Sequence, residues 1–411
     1  MNLTPSSAFL RCGSLAGMAL AAAMGSVVGE ELDLRSLSNA RVSEKYDQRL
    51  GEQLRGRRLT PSQEGVGISV FASLAYDDNI FRESEDEKED LVAVVAPEIR
   101  YTKGQEQGRA WVSLAYRPTA VIYFEESDES RIDQYLSASA SVRHKVLRLA
   151  YDGSWARLGY PDPDVGGNPE RDEWDQRVTV GWDRGGKTAV EAFADWRLED
   201  QDQSDLNDVE TISGGLSLIY RHSPKTELGL TYQVGEVDVD NSPTQDFQRI
   251  TGGIDWRPRP NITAAVEAGA EYRDFGPGGD DWEPVFAGRI QWTPCEGLDL
   301  YLTGYRREEA SAFFNGQNFT VLGFAGGLRQ RLHGGWSLGL EGGWEESDYF
   351  STTGGGADRD DTAVFIRPSV MYDLSNGMRL QFYYQWSDND SSDPDFDYEN
   401  NESGVNILYI F

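Results

Sequence analysis

The chain ends Ser403-Gly404-Val405-Asn406-Ile407-Leu408-Tyr409-Ile410-Phe411. Val405, Ile407, Tyr409 and Phe411 recur at period two, the spacing of one face of a β-strand. Such a strand suits a wall between hydrocarbon and water, because only every second residue has to be apolar. Leu408 and Ile410 blur the alternation, so the segments before it have to decide the reading.

From Gly65 onward the chain repeats this pattern in segments of about ten to fourteen residues, the length a tilted membrane strand needs. Two kinds of connection alternate between the segments. Short ones carry turn chemistry, as in Arg184-Gly185-Gly186-Lys187, His222-Ser223-Pro224-Lys225, Pro294-Cys295-Glu296-Gly297 and Leu374-Ser375-Asn376-Gly377. Long ones are mostly acidic and cover 83–90, 161–172, 199–208, 276–281, 351–361 and 387–401. This asymmetry predicts an all-β protein, a transmembrane antiparallel up-and-down β-barrel with short periplasmic turns and long acidic extracellular loops.

Strands are expected to begin near Gly65, Leu91, Gly108, Arg131, Val146, Glu173, Thr188, Val209 and Thr226 in the first half. Phe247, Ile262, Glu283, Leu298, Asn318, Trp336, Thr362, Met378 and Glu402 begin those of the second. That makes about eighteen, an even number that leaves both barrel ends periplasmic. Sixteen is the alternative, since alternation is poorer around Arg131 and Asn318. Internal Pro118, Pro284 and Pro368 cannot donate to a ladder and are expected at strand ends or bulges.

An aromatic stands just before several short turns: Trp182, Tyr220, Trp256, Trp292 and Tyr372. Rings at one height in successive hairpins suit a membrane interface, where amphipathic aromatics settle at the headgroups, and these five are assigned to a periplasmic girdle. Leu228, Leu230, Tyr232 and Val234 share one parity and are expected to face lipid, as are Ala264, Val266, Ala268 and Ala270, and Leu338, Leu340, Gly342 and Trp344.

The opposite parity carries charge. Arg100, Arg109, Arg117, Arg143, Arg177 and Arg197 fall there, and so do Arg249, Arg257, Arg273, Arg289, Arg367 and Arg379. Glu191, Asp195, Glu267, Glu271 and Glu341 are interleaved with them. An Arg facing acyl chains at mid-depth costs about 2–4 kcal/mol, so these residues are assigned to a polar pore lining. Two roles stand open for the set: arginine forks guiding an anionic solute, or Arg–acid pairs bracing a wide barrel.

The chain has 411 residues, with 38 Lys+Arg against 69 Asp+Glu and a formal net charge of -31. That balance argues against nucleic-acid partners, which need basic surfaces. Arg11 precedes the small and apolar run from Ser14 to Val28, and Val27 and Gly29 suit a signal peptidase. Residues 1–29 are therefore read as a secretory signal, 30–64 as a polar periplasmic segment and 65–411 as the barrel. Removal of the signal leaves Cys295 as the only cysteine, which permits neither an intramolecular disulfide nor a structural thiolate zinc site.

Catalytic groups are sparse. The three histidines, His144, His222 and His333, fall in or beside short turns, away from the outer rim where a Ser–His arrangement would be useful in a barrel hydrolase. No enzyme, metal or cofactor is expected. Acidic runs such as Asp388, Asp390, Asp393 and Asp395 lack the fixed spacing and central Gly of a calcium loop and read as solvated, with divalent-ion contact to lipopolysaccharide as the alternative.

The first strand runs through Val66, Ile68, Val70, Ala72, Leu74 and Tyr76 into Asp77-Asp78-Asn79-Ile80-Phe81-Arg82. This opening resembles the β-barrel porin family found near exopolysaccharide and exosortase loci, and the hairpin pattern extends the resemblance over about residues 65 to 411. The resemblance implies a bacterial outer-membrane channel or a conduit for extracellular polysaccharide, with polysaccharide export proteins as partners; it transfers no catalytic residue. Outer-membrane lipid, lipopolysaccharide and the barrel assembly machinery are the remaining expected partners, the last reading Phe411 as its signal. The alternative is a non-conducting surface barrel with a structural, adhesive or partner-binding role.

Overall fold

The computed structural model describes residues 64–105, 108–162, 164–353, 358–374 and 377–411. The expected signal at 1–29 and the polar segment at 30–63 lie outside the described residues. Among those described, the first half contributes β1 (Gly65–Asp77), β2 (Asp90–Gly104), β3 (Ala110–Tyr123), β4 (Arg131–His144), β5 (Leu147–Leu158), β6 (Arg171–Asp183), β7 (Thr188–Gln201), β8 (Val209–Ser223) and β9 (Thr226–Val239). The second half contributes β10 (Gln245–Arg259), β11 (Ile262–Asp274), β12 (Asp280–Cys295), β13 (Leu298–Ala310), β14 (Gln317–Arg331), β15 (Trp336–Ser351), β16 (Arg359–Asp373), β17 (Met378–Ser391) and β18 (Tyr398–Ile410). Each pairs antiparallel with its sequence neighbours, and β1 pairs with β18 from Ser69↔Ile410 to Asp77↔Glu402, so the sheet closes into an eighteen-stranded barrel.

Three strand onsets at the long loops differ from the sequence reading by more than two residues. β12, β16 and β18 begin at Asp280, Arg359 and Tyr398, three or four residues before the expected Glu283, Thr362 and Glu402. The acidic stretches read as loop are partly ladder, because strands that have left hydrocarbon no longer need an apolar face to keep pairing. There, acids stand directly opposite acids: Asp172↔Asp200, Glu210↔Asp238, Asp246↔Asp274 and Asp348↔Asp360.

The prolines lie inside strands, at places where the ladder is interrupted on one side without a change of register. β2 and β3 pair at Val95↔Ala120 and again at Ile99↔Tyr116, and the gap between holds Pro97 and Pro118. β16 and β17 skip between Ile366↔Trp386 and Ser369↔Tyr383, around Pro368. Pro284 lies just above Phe286↔Arg306, where the pairing of β12 with β13 stops.

Exposure follows the strand period. Leu228, Leu230, Tyr232 and Val234 are exposed on β9, and Leu338 and Leu340 on β15. Ala264 is buried although its parity is outward, because its ladder neighbours Trp256 and Ile290 flank and cover it. Trp182, Tyr220, Trp256 and Trp292 are exposed near the short-turn ends, and Tyr372 packs at a tilt against Trp336, with centroids 4.6 Å apart. A second aromatic row stands toward the long loops: Trp155, Trp174 and Trp196 on adjacent strands, with centroids 5.9 and 6.4 Å apart, joined on the other side by Tyr272 and Trp282 at 5.3 Å. Between the two rows lies the apolar band.

The Asp77-Asp78-Asn79 step fastens the seam between the first and last strands. Asn401 donates its backbone N–H to Asp78 Oδ1 at 2.6 Å and its Nδ2 to Asp78 Oδ2 at 3.0 Å. Asn400 Nδ2 donates to Asp77 and to the Asn79 carbonyl, and Asn79 Nδ2 donates to Glu83 O and Glu399 O. Ile80 then packs on Val121 and Tyr123, anchoring the loop to the inner wall. At the other end of the seam the Phe411 N–H donates to Ile68 O at 3.0 Å.

The alternation yields a paired test. Leu230→Arg should lower the unfolding free energy of the membrane-embedded barrel by about 2–4 kcal/mol, whereas Thr231→Arg, one residue along and inward-facing, should leave it nearly unchanged; guanidinium titrations in lipid vesicles read both.

Candidate conduction pathway and its constriction

The inner wall is built from the parity opposite the apolar band, and its arginines meet acids or rings. Arg177 Nη1 lies 2.9 Å from Asp195 and its guanidinium covers the Phe193 ring at 3.9 Å. Arg249 and Arg273 grip Glu271 from two strands at 2.5 and 2.6 Å, and each also lies 5.7 Å from the centroid of Phe247. Arg367 reaches toward Glu402 at 3.9 Å and stacks on Tyr383 at 4.1 Å. Arg100 pairs with Glu98 at 3.2 Å, Arg257 with Asp255 at 3.1 Å, and Arg379 with Asp373. Arg117 covers the Tyr135 ring at 5.1 Å. Glu191 faces Arg148 at 3.9 Å, and Glu341 accepts from Tyr301 Oη at 2.8 Å. Arg197 and Arg289 share the inward parity of Asp195 and of Ala287 on their own strands.

Arg109 and Arg143 lie elsewhere. They stand at the short-turn lip, where Gly108, Arg109, Arg143, His144 and Lys145 line an open cleft of about 560 Å³. Arg143 is directly opposite Arg148 on β5.

The largest departure from a plain cylinder lies between β12 and β13. The two pair from Cys295↔Leu298 up to Phe286↔Arg306 and no further, although both strands continue. Above that point β13 runs inside the wall. Glu308 and Ala310, at the outward parity of β13, contact the inward faces of β9 to β11: Glu308 lies 3.5 Å from Arg273, and Ala310 packs on Val237, Val239 and Phe247. Asn318 on β14 makes a reciprocal amide pair with Gln245 on β10, at 2.8 and 2.9 Å, and a third bond at 2.8 Å to Glu308. The outer part of the barrel is thus rolled like a scroll, with the β13–β14 hairpin inside β10 to β12. Arg306 bridges the split, pairing with Glu283 and donating to the Pro284 carbonyl at 2.7 Å. Just inside it a cavity of about 30 Å³ is bounded by Arg249, Glu267, Tyr305, Arg306 and Arg307.

The hairpin tip, 311–316, then crosses the mouth. Ser311 Oγ and the Ala312 N–H donate to Asp164 in the β5–β6 loop at 3.0 and 2.8 Å. Asn207, between β7 and β8, donates its backbone N–H to Ala312 O at 2.8 Å. Gly316 donates to Ser242 Oγ at 2.9 Å and accepts from the Thr352 N–H at 2.8 Å. Phe313 meets Phe396 of the β17–β18 loop edge-on at 5.8 Å. Ser311 and Ala312 are buried as a result. Below the tip, Tyr305, Phe319, Val321 and Tyr349 fill the inner wall as an apolar cluster, and Arg359 lies between the Tyr349 and Phe396 rings at 3.8 and 3.7 Å.

Sequence patterning did not reveal this constriction. Its one trace is the poor alternation near Asn318: Glu308, Asn318 and Thr320 occupy outward parities with polar groups that hydrocarbon would not accept.

A closed antiparallel barrel with an apolar band between aromatic rows and a charged interior belongs to the transmembrane β-barrel class, the class of bacterial outer membranes. The sequence matches no family model and no curated protein. Among solved structures it is similar to OpdO of Pseudomonas aeruginosa, at 10% identity over 84% of this chain and 97% of that one with a TM-score of 0.47. It is also similar to the outer membrane protein OpdK of the same organism, at 12% identity over 84% and 98% with a TM-score of 0.45. OccAB2 of Acinetobacter baumannii compares at 10% identity over 84% and 98%, also at 0.45.

The doubly gripped Glu271 offers a direct test of bracing. Glu271→Ala leaves two closely spaced guanidinium groups without their shared acid, and loss of one partner of a buried pair costs about 3–5 kcal/mol. The variant should lose its heat-resistant compact form on gels well below the temperature at which the wild type does.

Proposed function

We propose that this chain is a bacterial outer-membrane channel for hydrophilic solutes, with a charged lumen and a constriction at the outer mouth. The observation that carries the reading is the division of the wall. Apolar side chains face outward between the two aromatic rows, while Arg100, Arg117, Arg177, Arg249 and Arg289 share the inner parity with Glu191, Asp195, Glu267, Glu271 and Glu341. A lumen with this lining favours water and ions over lipid.

The pairs speak to the role of the arginines. Most of those on the inner wall are already engaged by an acid or a ring, so bracing accounts for them first. Arg109 and Arg143, which line the open cleft at the short-turn lip, are groups placed to meet an anionic solute. Passage of an acidic extracellular polysaccharide is the finer form of this reading; what supports it is the guanidinium chemistry and the resemblance carried by Asp77 to Arg82.

The crossing of the mouth by 311–316 favours a second reading, a non-conducting surface barrel whose loops are its working part. Single-channel recording of the refolded barrel in planar bilayers separates the two. Resolved current steps, with a reversal potential that moves toward cations in Arg257→Glu/Arg289→Glu, are expected. A folded, heat-modifiable barrel that gives no steps at any voltage would overturn the channel reading in favour of the surface one.

A further inference from the structure

The outer ends of β12 and β13 are two halves of one ladder held apart. Among the described residues β12 has no strand partner from Asp280 to Val285 on its β13 side, where only Arg306 meets the Pro284 carbonyl, while β13 above Arg306 is met by side chains of β10 and β11 instead of by a strand. Continuing the register of Phe286↔Arg306 would place Val285 opposite Arg307, Glu283 opposite Glu309 and Trp282 opposite Ala310. The fork sits on small residues: Gly288 is opposite Gly304, and Gly323 is opposite Tyr305. Such positions allow the strands to bend sharply.

We propose that the β13–β14 hairpin is a gate with two seats, the rolled-in one seen here and an unrolled one in which β13 completes its ladder with β12 and the tip leaves the mouth. The rolled-in seat is polar. It is held by the Gln245–Asn318 amide pair, by Arg273 on Glu308 and on the Glu308 carbonyl, and by the tip's bonds to Asp164, Asn207 and Ser242. The unrolled seat gains backbone bonds along the β12 edge, yet it is handicapped. Pro284 has no N–H to give, Glu283 would stand opposite Glu309, a like-charge pair that weakens a ladder, and Glu308 and Asn318 would turn their polar groups to the outer face. Those handicaps make the rolled-in seat the resting one while leaving the other within reach. Two packings of one element, neither overwhelmingly favoured, are the requirement for a switch. Its effect on conduction rests on the channel reading above; the movement itself does not.

Two cysteine pairs in a Cys295→Ser background test it. Gln245→Cys/Asn318→Cys should cross-link at once in the rolled-in seat, and Trp282→Cys/Ala310→Cys should cross-link more slowly, because those residues become cross-strand neighbours only after unrolling. In bilayers, oxidation of the first pair should abolish the large current steps and reduction should restore them. The gate is overturned if the second pair never cross-links, or if locking the first leaves conductance as it was. If the second pair forms but no variant conducts, the hairpin moves and the channel reading falls instead. Should the double variants fail to fold, Ala312→Cys in the same Cys295→Ser background reports alone. Its labelling by an impermeant maleimide should quicken several-fold when Glu308→Gln removes the charge facing Arg273, and an unchanged rate would overturn the proposal.

Discussion

Hydrocarbon offers no partner to a backbone N–H or C=O, and this single constraint sets the architecture. A sheet that crosses it must have no edge, so the strand that ends at Ile410 returns to the one that begins at Gly65 and closes the ring. The interruptions at Pro97/Pro118 and at Pro368 are three and two residues long and keep register on both sides. Above the band the constraint relaxes. There the strands pair acid against acid. The parting of β12 and β13 begins a little lower, at Val285, three residues below Trp282, and there Arg306 supplies a donor to the exposed Pro284 carbonyl.

The same change of solvent explains how charge is arranged. Inside the wall, guanidinium groups cannot be left without partners at low cost, so Glu271 serves two of them and rings such as Phe193, Tyr383 and Phe247 cover others. At the wet lip the requirement lapses, and Arg143 stands opposite Arg148. The interior is thus stiff in its middle and adaptable at its ends. The hairpin that folds inward does so where polar side chains can still be satisfied by one another.

Patterning carried most of the frame. The period-two face of β9, the turns around Gly185 and Gly297, and the aromatics at Trp182, Tyr220, Trp256 and Trp292 are local signals. A membrane wall imposes them on each strand independently, which is why strand onsets at the short turns were readable to within a residue or two. Of the onsets at the long loops, those of β12, β16 and β18 were missed by three or four residues, because beyond the headgroups parity no longer separates lipid from water. The constriction was harder still. Gln245 and Asn318 are separated by 73 residues, and nothing in the period of either strand says that the outer face of one will meet the inner face of the other. The second aromatic row at Trp155, Trp174 and Trp196 was within reach of the same argument that found the first, since those residues share a parity and a height.

The seam at Asp77 to Asn79 gives the barrel a direction in time. Its bonds to Asn400 and Asn401 span 321 to 323 residues, so they form only when the whole chain has been laid into the wall. Contacts of such separation are the last to be rewarded during folding. Once made, they tie down the one junction whose two strands are not joined by a turn, which is where the ring would otherwise begin to peel. At the outer rim a few amide and carboxylate groups thus add to the backbone ladder between β1 and β18, and a chain that lacks its final strand forfeits both together.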